Sequence, residues 1–132
     1  MGQLAAKQGD FIQGTDTHIT MVPSPGGPVP TPGPYVFNGI IDGNLSSDVY
    51  IDKMPAATVG STATNTPPHI PIGGPFQVPP SNKGIIMMGS STVFINKKPA
   101  ARMGDTANTC NDPAGMAPVG QVAVLSGDVF IG

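Results

Sequence analysis

Two segments of the chain repeat each other position for position, and this repeat constrains the fold more than any other feature. Val93-Phe94-Ile95-Asn96-Lys97-Lys98-Pro99-Ala100-Ala101-Arg102-Met103-Gly104-Asp105 reads as a short strand, a polar turn and a second short element closed by Gly-Asp. Val49-Tyr50-Ile51-Asp52-Lys53-Met54-Pro55-Ala56-Ala57-Thr58-Val59-Gly60-Ser61 matches it. A third copy emerges when the chain ends are read as joined. Val129-Phe130-Ile131-Gly132 supplies its strand, and Leu4-Ala5-Ala6-Lys7-Gln8-Gly9-Asp10 its second half. The units are then 120–132 plus 1–18, 39–69 and 84–113. A unit this short cannot bury its apolar face alone, whereas three around an axis share one core. Pseudo-threefold symmetry within one chain is therefore expected, with the termini close in space.

Composition decides what kind of unit repeats. The chain of 132 residues holds 18 Gly and 16 Pro, and all eight of its acids are Asp. These residues suit turns and disfavour helix interiors. A net charge of only −2, with Val and Ile clusters on schedule, argues against disorder. The expected fold is mostly β: a single small, cone-shaped domain of three β-hairpin units with Pro/Gly-rich extended connections at 19–38 and 70–83. Proline lacks an N–H, so the segment Val22–Pro34 is expected to run extended along the side of the domain with few ladder bonds.

Other classes are poorly supported. Six basic residues against eight acidic ones give no electrostatic footprint for nucleic acid. No apolar run reaches the ~18–20 residues of a membrane span, and the start lacks the apolar core of a signal peptide. One cysteine excludes an internal disulfide and suits synthesis in a reducing cytosol.

The repeat also serves as a ruler for the polar residues. Nine residues beyond Gly9 lies His18, nine beyond Gly60 lies His69, and nine beyond Gly104 lies Pro113, with Cys110 three residues earlier. The two histidines and the single cysteine of the chain thus converge near the axis of a threefold fold. Imidazole nitrogen and thiolate sulfur are ligands that Zn²⁺ prefers in tetrahedral geometry. Asp112, Asp16 or a water are the candidates for a fourth ligand. Against this reading, a lone cysteine is usually a small buried hydrophobe, and the chain has no CxxC spacing. A Cys-His nucleophilic set is the weaker alternative, since there is no phosphate cradle, no glutamate pair and no nucleophile elbow. Ser46-Ser47, Ser90-Ser91 and Lys97-Lys98 are read as turn residues, and Met87-Met88 as core or an apolar patch.

Pro99-Ala100-Ala101-Arg102, followed by Gly104-Asp105 and Cys110, resembles the PAAR-repeat family. Gly9-Asp10 with Thr17-His18, the strand-turn Val93-Phe94-Ile95-Asn96 and the degenerate copy Pro55-Ala56-Ala57-Thr58 extend the likeness over nearly the whole chain. The resemblance implies a cone that caps the trimeric β-helical spike of a contractile injection system: type VI secretion, a phage-like tail or an extracellular particle. It implies a zinc at the tip, with iron the alternative, held by His18, His69 and Cys110. The family's remaining histidine has no counterpart here. The implied protein is structural and not an enzyme. It is made in the bacterial cytoplasm, carried at the spike tip, and meets the target membrane only on injection. Its partner is one spike trimer per tip, docked on the strand edges through Val49, Ile51, Val93, Ile95, Val129 and Ile131 by strand addition. A charge at Val93 or Ile95 is expected to abolish docking. The alternative is an effector carrier whose loops 22–34 and 70–80 tether cargo. A fused toxin domain is not expected, because the chain stops at Gly132 at the end of a strand.

Overall fold

Each unit contains a short hairpin, and in two of them the turn is written into the sequence. The structure, a computed structural model, describes residues 2–111 and 120–132. Strand β4 (Tyr50–Ile51) pairs antiparallel with β5 (Met54–Pro55), and β8 (Phe94–Ile95) with β9 (Lys98–Pro99). Their two-residue turns are left-handed at both positions, with φ of 48° and 71° at Asp52-Lys53 and 51° and 68° at Asn96-Lys97. This is the turn that matches the twist of a tight hairpin. The third hairpin is assembled from the chain ends. Strand β12 (Phe130–Ile131) pairs with β1 (Gln3–Leu4), Gln3 opposite Ile131 and Leu4 opposite Phe130, so the termini are adjacent.

After each hairpin comes Ala-Ala, and here the three units are tied into a ring. The Ala6 N–H donates to Ala101 O at 3.0 Å, Ala57 to Ala6 at 3.0 Å, and Ala101 to Ala57 at 3.1 Å. All three alanines are fully buried. The next turn also repeats: Gly9, Gly60 and Gly104 have φ of 92°, 93° and 89°, the left-handed position of a type II turn. The residue after each glycine closes that turn with its side chain. Asp10, Ser61 and Asp105 accept from the backbone N–H of Lys7, Thr58 and Arg102 at 3.0, 3.0 and 2.7 Å.

The turns lead into a closed six-stranded antiparallel barrel. Its strands are β2 (Phe11–Val22), β3 (Val29–Gly43), β6 (Thr62–Asn65), β7 (Lys83–Ile86), β10 (Thr106–Asn108) and β11 (Gly120–Ala123), in spatial order β10-β11-β2-β3-β6-β7. No helix occurs among the described residues. The core has two layers. Ile51, Ile95 and Ile131 pack with Ala5, Ala56 and Ala100 beneath the hairpins. Ala6, Ala57 and Ala101 face the other way, into a barrel filled by Ile12, Phe37, Ile41, Ile86 and Val122. Phe37 fits only because Gly39 lies beside it: a Cβ there would stand 2.6 Å from the ring.

One connection differs from the expectation. Residues 19–38 are not a ribbon with few ladder bonds; β2 and β3 pair continuously from Phe11↔Ile40 out to Val22↔Val29. The reason lies in the spacing of the prolines. Ile19 and Met21 direct their backbone groups to the opposite edge of β2, where Gln77 N donates to Ile19 O and Met21 N donates to Pro75 O, each at 2.8 Å. Pairs Ile19↔Pro32 and Met21↔Pro30 are therefore the non-hydrogen-bonded pairs of the ladder. Pro30, Pro32 and Pro34 place their missing donors on the outer edge of β3, where the ladder does not need them.

Candidate metal centre

The barrel strands carry the polar residues away from the hairpins to a cluster at the far end. Asp16 and His18 lie two apart on β2, so the period of two turns both side chains inward. His69 follows β6 and Cys110 follows β10. Asp16, His18, His69 and Cys110 each offer a ligand atom, and these atoms all lie within 4.8 Å of one another. Asp16 and His18 are wholly buried. The histidines and cysteine picked out by the repeat are thus brought together. Asp112 and Pro113 lie outside the described residues.

Asp16 is the hub of the cluster. Its carboxylate accepts from the Thr109 hydroxyl, from the Cys110 thiol at 3.2 Å and from His69 Nε2 at 2.8 Å. His18 Nε2 stands 3.7 Å from the same carboxylate and 3.6 Å from Cys110 Sγ. The tautomer of His69 follows from its other side. Asn65 uses its Oδ1 for the Asn38 N–H and its Nδ2 for Asn82, so the amide presents a donor to His69 Nδ1 at 3.3 Å. With the Asn65 amide so placed, His69 holds its proton on Nε2, toward Asp16; ligation of a cation through Nε2 would require that proton to move to Nδ1 and the Asn65 amide to turn its oxygen toward it. Asn82 Oδ1 also fixes the His69 backbone N–H at 2.9 Å. Tyr35 and Phe76 meet the His18 ring at centroid distances of 5.5 and 5.7 Å, and Phe37 approaches His69 at 6.2 Å.

Burial pushes the Cys110 thiol up to about 12, and the hydrogen bond to Asp16 and its negative charge add to the shift. A protonated thiol is the less reactive form, since the thiolate is the nucleophile, and His18 Nε2 stands 3.6 Å from the Cys110 sulfur.

The donor set is close enough to hold a cation, and one of its separations matches a tetrahedral site, although His69 and Asp16, now bonded to each other at 2.8 Å, would have to part slightly. Nitrogen and sulfur bound to zinc at about 2.0 and 2.3 Å would lie about 3.5 Å apart on a tetrahedron, close to the 3.6 Å between His18 Nε2 and Cys110 Sγ. Two histidines, one cysteine and one aspartate are all groups that zinc accepts. Asp16 was visible in the sequence only as one fourth-ligand candidate, though its place two residues before His18 on a strand was the available signal. Thr109, Asn65 and Asn82 carried no such signal.

The hairpin end sorts the docking residues differently from the sequence reading. Ile51, Ile95 and Ile131 are buried in the core layer, and Val93 packs against it. Val49 and Val129 are partly exposed. The side chains that stand out are Tyr50, Phe94 and Phe130, at 58%, 57% and 62% exposure. A charge at Ile95 would therefore test folding and not docking.

The family model for the PAAR motif matches this chain over residues 20–109 and over 76–132. A comparison with curated proteins returns no match.

Proposed function

Because the chain belongs to the PAAR motif family, we propose that it is the structural tip of a contractile injection apparatus, seated on the end of a trimeric β-helical spike. The observation that carries this is the hairpin end. One chain there presents the same backbone three times, with an exposed aromatic ring at each equivalent position: Tyr50, Phe94 and Phe130. A threefold partner meets three matching contacts on such a surface, whereas an asymmetric partner uses only one. Aromatic side chains are also the usual anchors of a protein interface. In this reading the protein transmits force and closes the spike, and no covalent chemistry is involved.

His18, His69, Cys110 and Asp16 would hold a zinc ion at the other end. The ion would supply a cross-link between β2 and the segments that follow β6 and β10, stiffening a region with little side-chain volume.

The docking surface is tested by Tyr50→Asp, Phe94→Asp and Phe130→Asp, measured for binding to the spike trimer by titration calorimetry. Each substitution is expected to weaken binding by about thirtyfold or more, the scale of an interface hot spot, while the far-ultraviolet dichroism stays unchanged. Wild-type affinity in all three folded variants would refute the proposed face.

A further inference from the structure

The three hairpins are also linked edge to edge, and the three links are chemically unequal. The repeat places Asp52, Asn96 and Gly132 at one equivalent position of the hairpins, and Asp48, Thr92 and Asp128 at one equivalent position of the loops that lead into them. Each hairpin reaches the loop of a neighbouring unit. Asn96 donates from Nδ2 to the Asp48 carboxylate at 2.7 Å and accepts from the Ser46 hydroxyl. Gly132 O accepts from the hydroxyls of Ser90 and Thr92. Both of these seams match donors to acceptors. In the third seam Asp52 meets Asp128, carboxyl group against carboxyl group.

Ionised carboxylates only accept hydrogen bonds, so this seam closes only with a proton between them. The packing is close: a Cβ on Gly127 would stand 3.3 Å from Asp52 Oδ2 and 3.8 Å from Lys7 Nζ. Lys7, Asp52, Ser126, Gly127 and Asp128 line one cleft. Lys7 is the cation at hand, but its ammonium already serves Asp10 at 3.1 Å and Ser126 O at 3.0 Å. Asp10 also faces the charge of Asp52, and burial raises its carboxyl above the ordinary value. The hydrogen bond with Asp52, then the charge of Asp52, then desolvation hold the Asp128 carboxyl above its ordinary 3.8. The folded chain therefore binds this proton more tightly than the unfolded chain. Its stabilisation is complete below that ordinary value and is lost as pH rises through the folded one.

We propose that the seam between the terminal hairpin and the β4–β5 hairpin is a proton-operated clasp: a proton shared by Asp52 and Asp128 closes it, and release of that proton to solvent loosens the terminal hairpin from the ring. The terminal hairpin is the part that yields. Its strands β12 and β1 are held by pairing alone, whereas a two-residue turn joins β4 to β5 and β8 to β9. The clasp belongs to the ring itself and goes beyond the spike-tip reading without depending on it. The two hairpins it joins carry Tyr50 and Phe130, two of the three rings proposed to dock, and only that consequence rests on the reading.

The experiment is amide hydrogen exchange of the full chain, read by NMR at about pH 4 and about pH 7 and at low ionic strength, where exposed charges are least screened. Equivalent bonds within the hairpins provide the internal standard: Ala5 N–H donates to Val129 O at 2.9 Å and Ala100 N–H to Val93 O at 3.0 Å. Protection at Ala5 relative to Ala100, corrected for intrinsic exchange rates, is expected to fall about threefold or more from the lower to the higher pH. Asp52→Asn supplies the donor that Asn96 supplies in its own seam, and it is expected to abolish the fall. Asp128→Asn lies outside the turn and is expected to do the same, which separates the clasp from any preference of the turn for asparagine. A ratio that stays constant in the wild type, or a fall that survives both substitutions, would overturn the proposal. Exchange is read on the free chain, so failure of spike binding would leave this result untouched.

Discussion

Ala57→Leu is expected to abolish folding, whereas Ala57→Gly leaves a folded protein weakened by about 1–2 kcal/mol. Ala57 is fully buried, its N–H bonds to Ala6 and its carbonyl accepts from Ala101, so its backbone cannot withdraw. Its methyl shares one core layer with those of Ala6 and Ala101. Leucine adds three carbon atoms where the ring of peptide bonds prevents expansion. Overpacking a single site ordinarily costs about 1–3 kcal/mol and more where the backbone is pinned. Here about 4 kcal/mol or more is expected, a large part of the roughly 5–15 kcal/mol that holds a domain together. Urea unfolding followed by circular dichroism reads both variants. A cooperative transition for Ala57→Leu near the wild-type midpoint would show that the alanine ring does not close the core.

The second large effect is expected at the other end of the barrel. Wild-type protein equilibrated with zinc and desalted should retain about one ion per chain by elemental mass spectrometry, the content of a closed four-ligand site. Cys110→Ser and Asp16→Asn should each weaken zinc binding by at least about 100-fold, since even losing a group that only hydrogen-bonds a ligand costs about 10–100-fold. Asp16→Asn is the more informative of the two, because Asp16 is the residue on which Thr109, Cys110 and His69 converge. The Cys110 thiol is held protonated by its surroundings, so zinc must displace that proton and the affinity should rise with pH. Full zinc retention by Asp16→Asn would remove the aspartate from the ligand set and leave His18, His69 and Cys110 with another fourth partner.

The parts of the fold written into local sequence were readable in advance. Hairpins at Tyr50–Pro55 and Phe94–Pro99, the Ala-Ala step and the Gly turns depend on residues adjacent in the chain, so the repeat exposes them directly. The hairpin between the chain ends was readable for the same reason, once the repeat was followed across the termini. The β2–β3 hairpin was hidden by its composition. Its prolines suggested a strand without a ladder, although their alternate spacing at 30, 32 and 34 is what preserves the ladder. Which side chains of the short hairpins face outward was not legible, because a two-residue strand is apolar on both faces. Val49 and Ile51 flank Tyr50, and only the burial of Ile51 against Ala56 decides which face is outward. The role of Asp16 depends on segments far apart in sequence, Thr109 and Cys110 among them, and no local pattern records such a meeting.

In the proposed assembly a single chain offers one threefold surface to a spike trimer. Native mass spectrometry of the protein mixed with its β-helical spike trimer tests it most directly. One chain per three spike subunits is the expected mass, unchanged when the protein is in excess. Three chains per trimer would mean that each spike subunit binds a separate copy, and the three hairpins would then not act as one face.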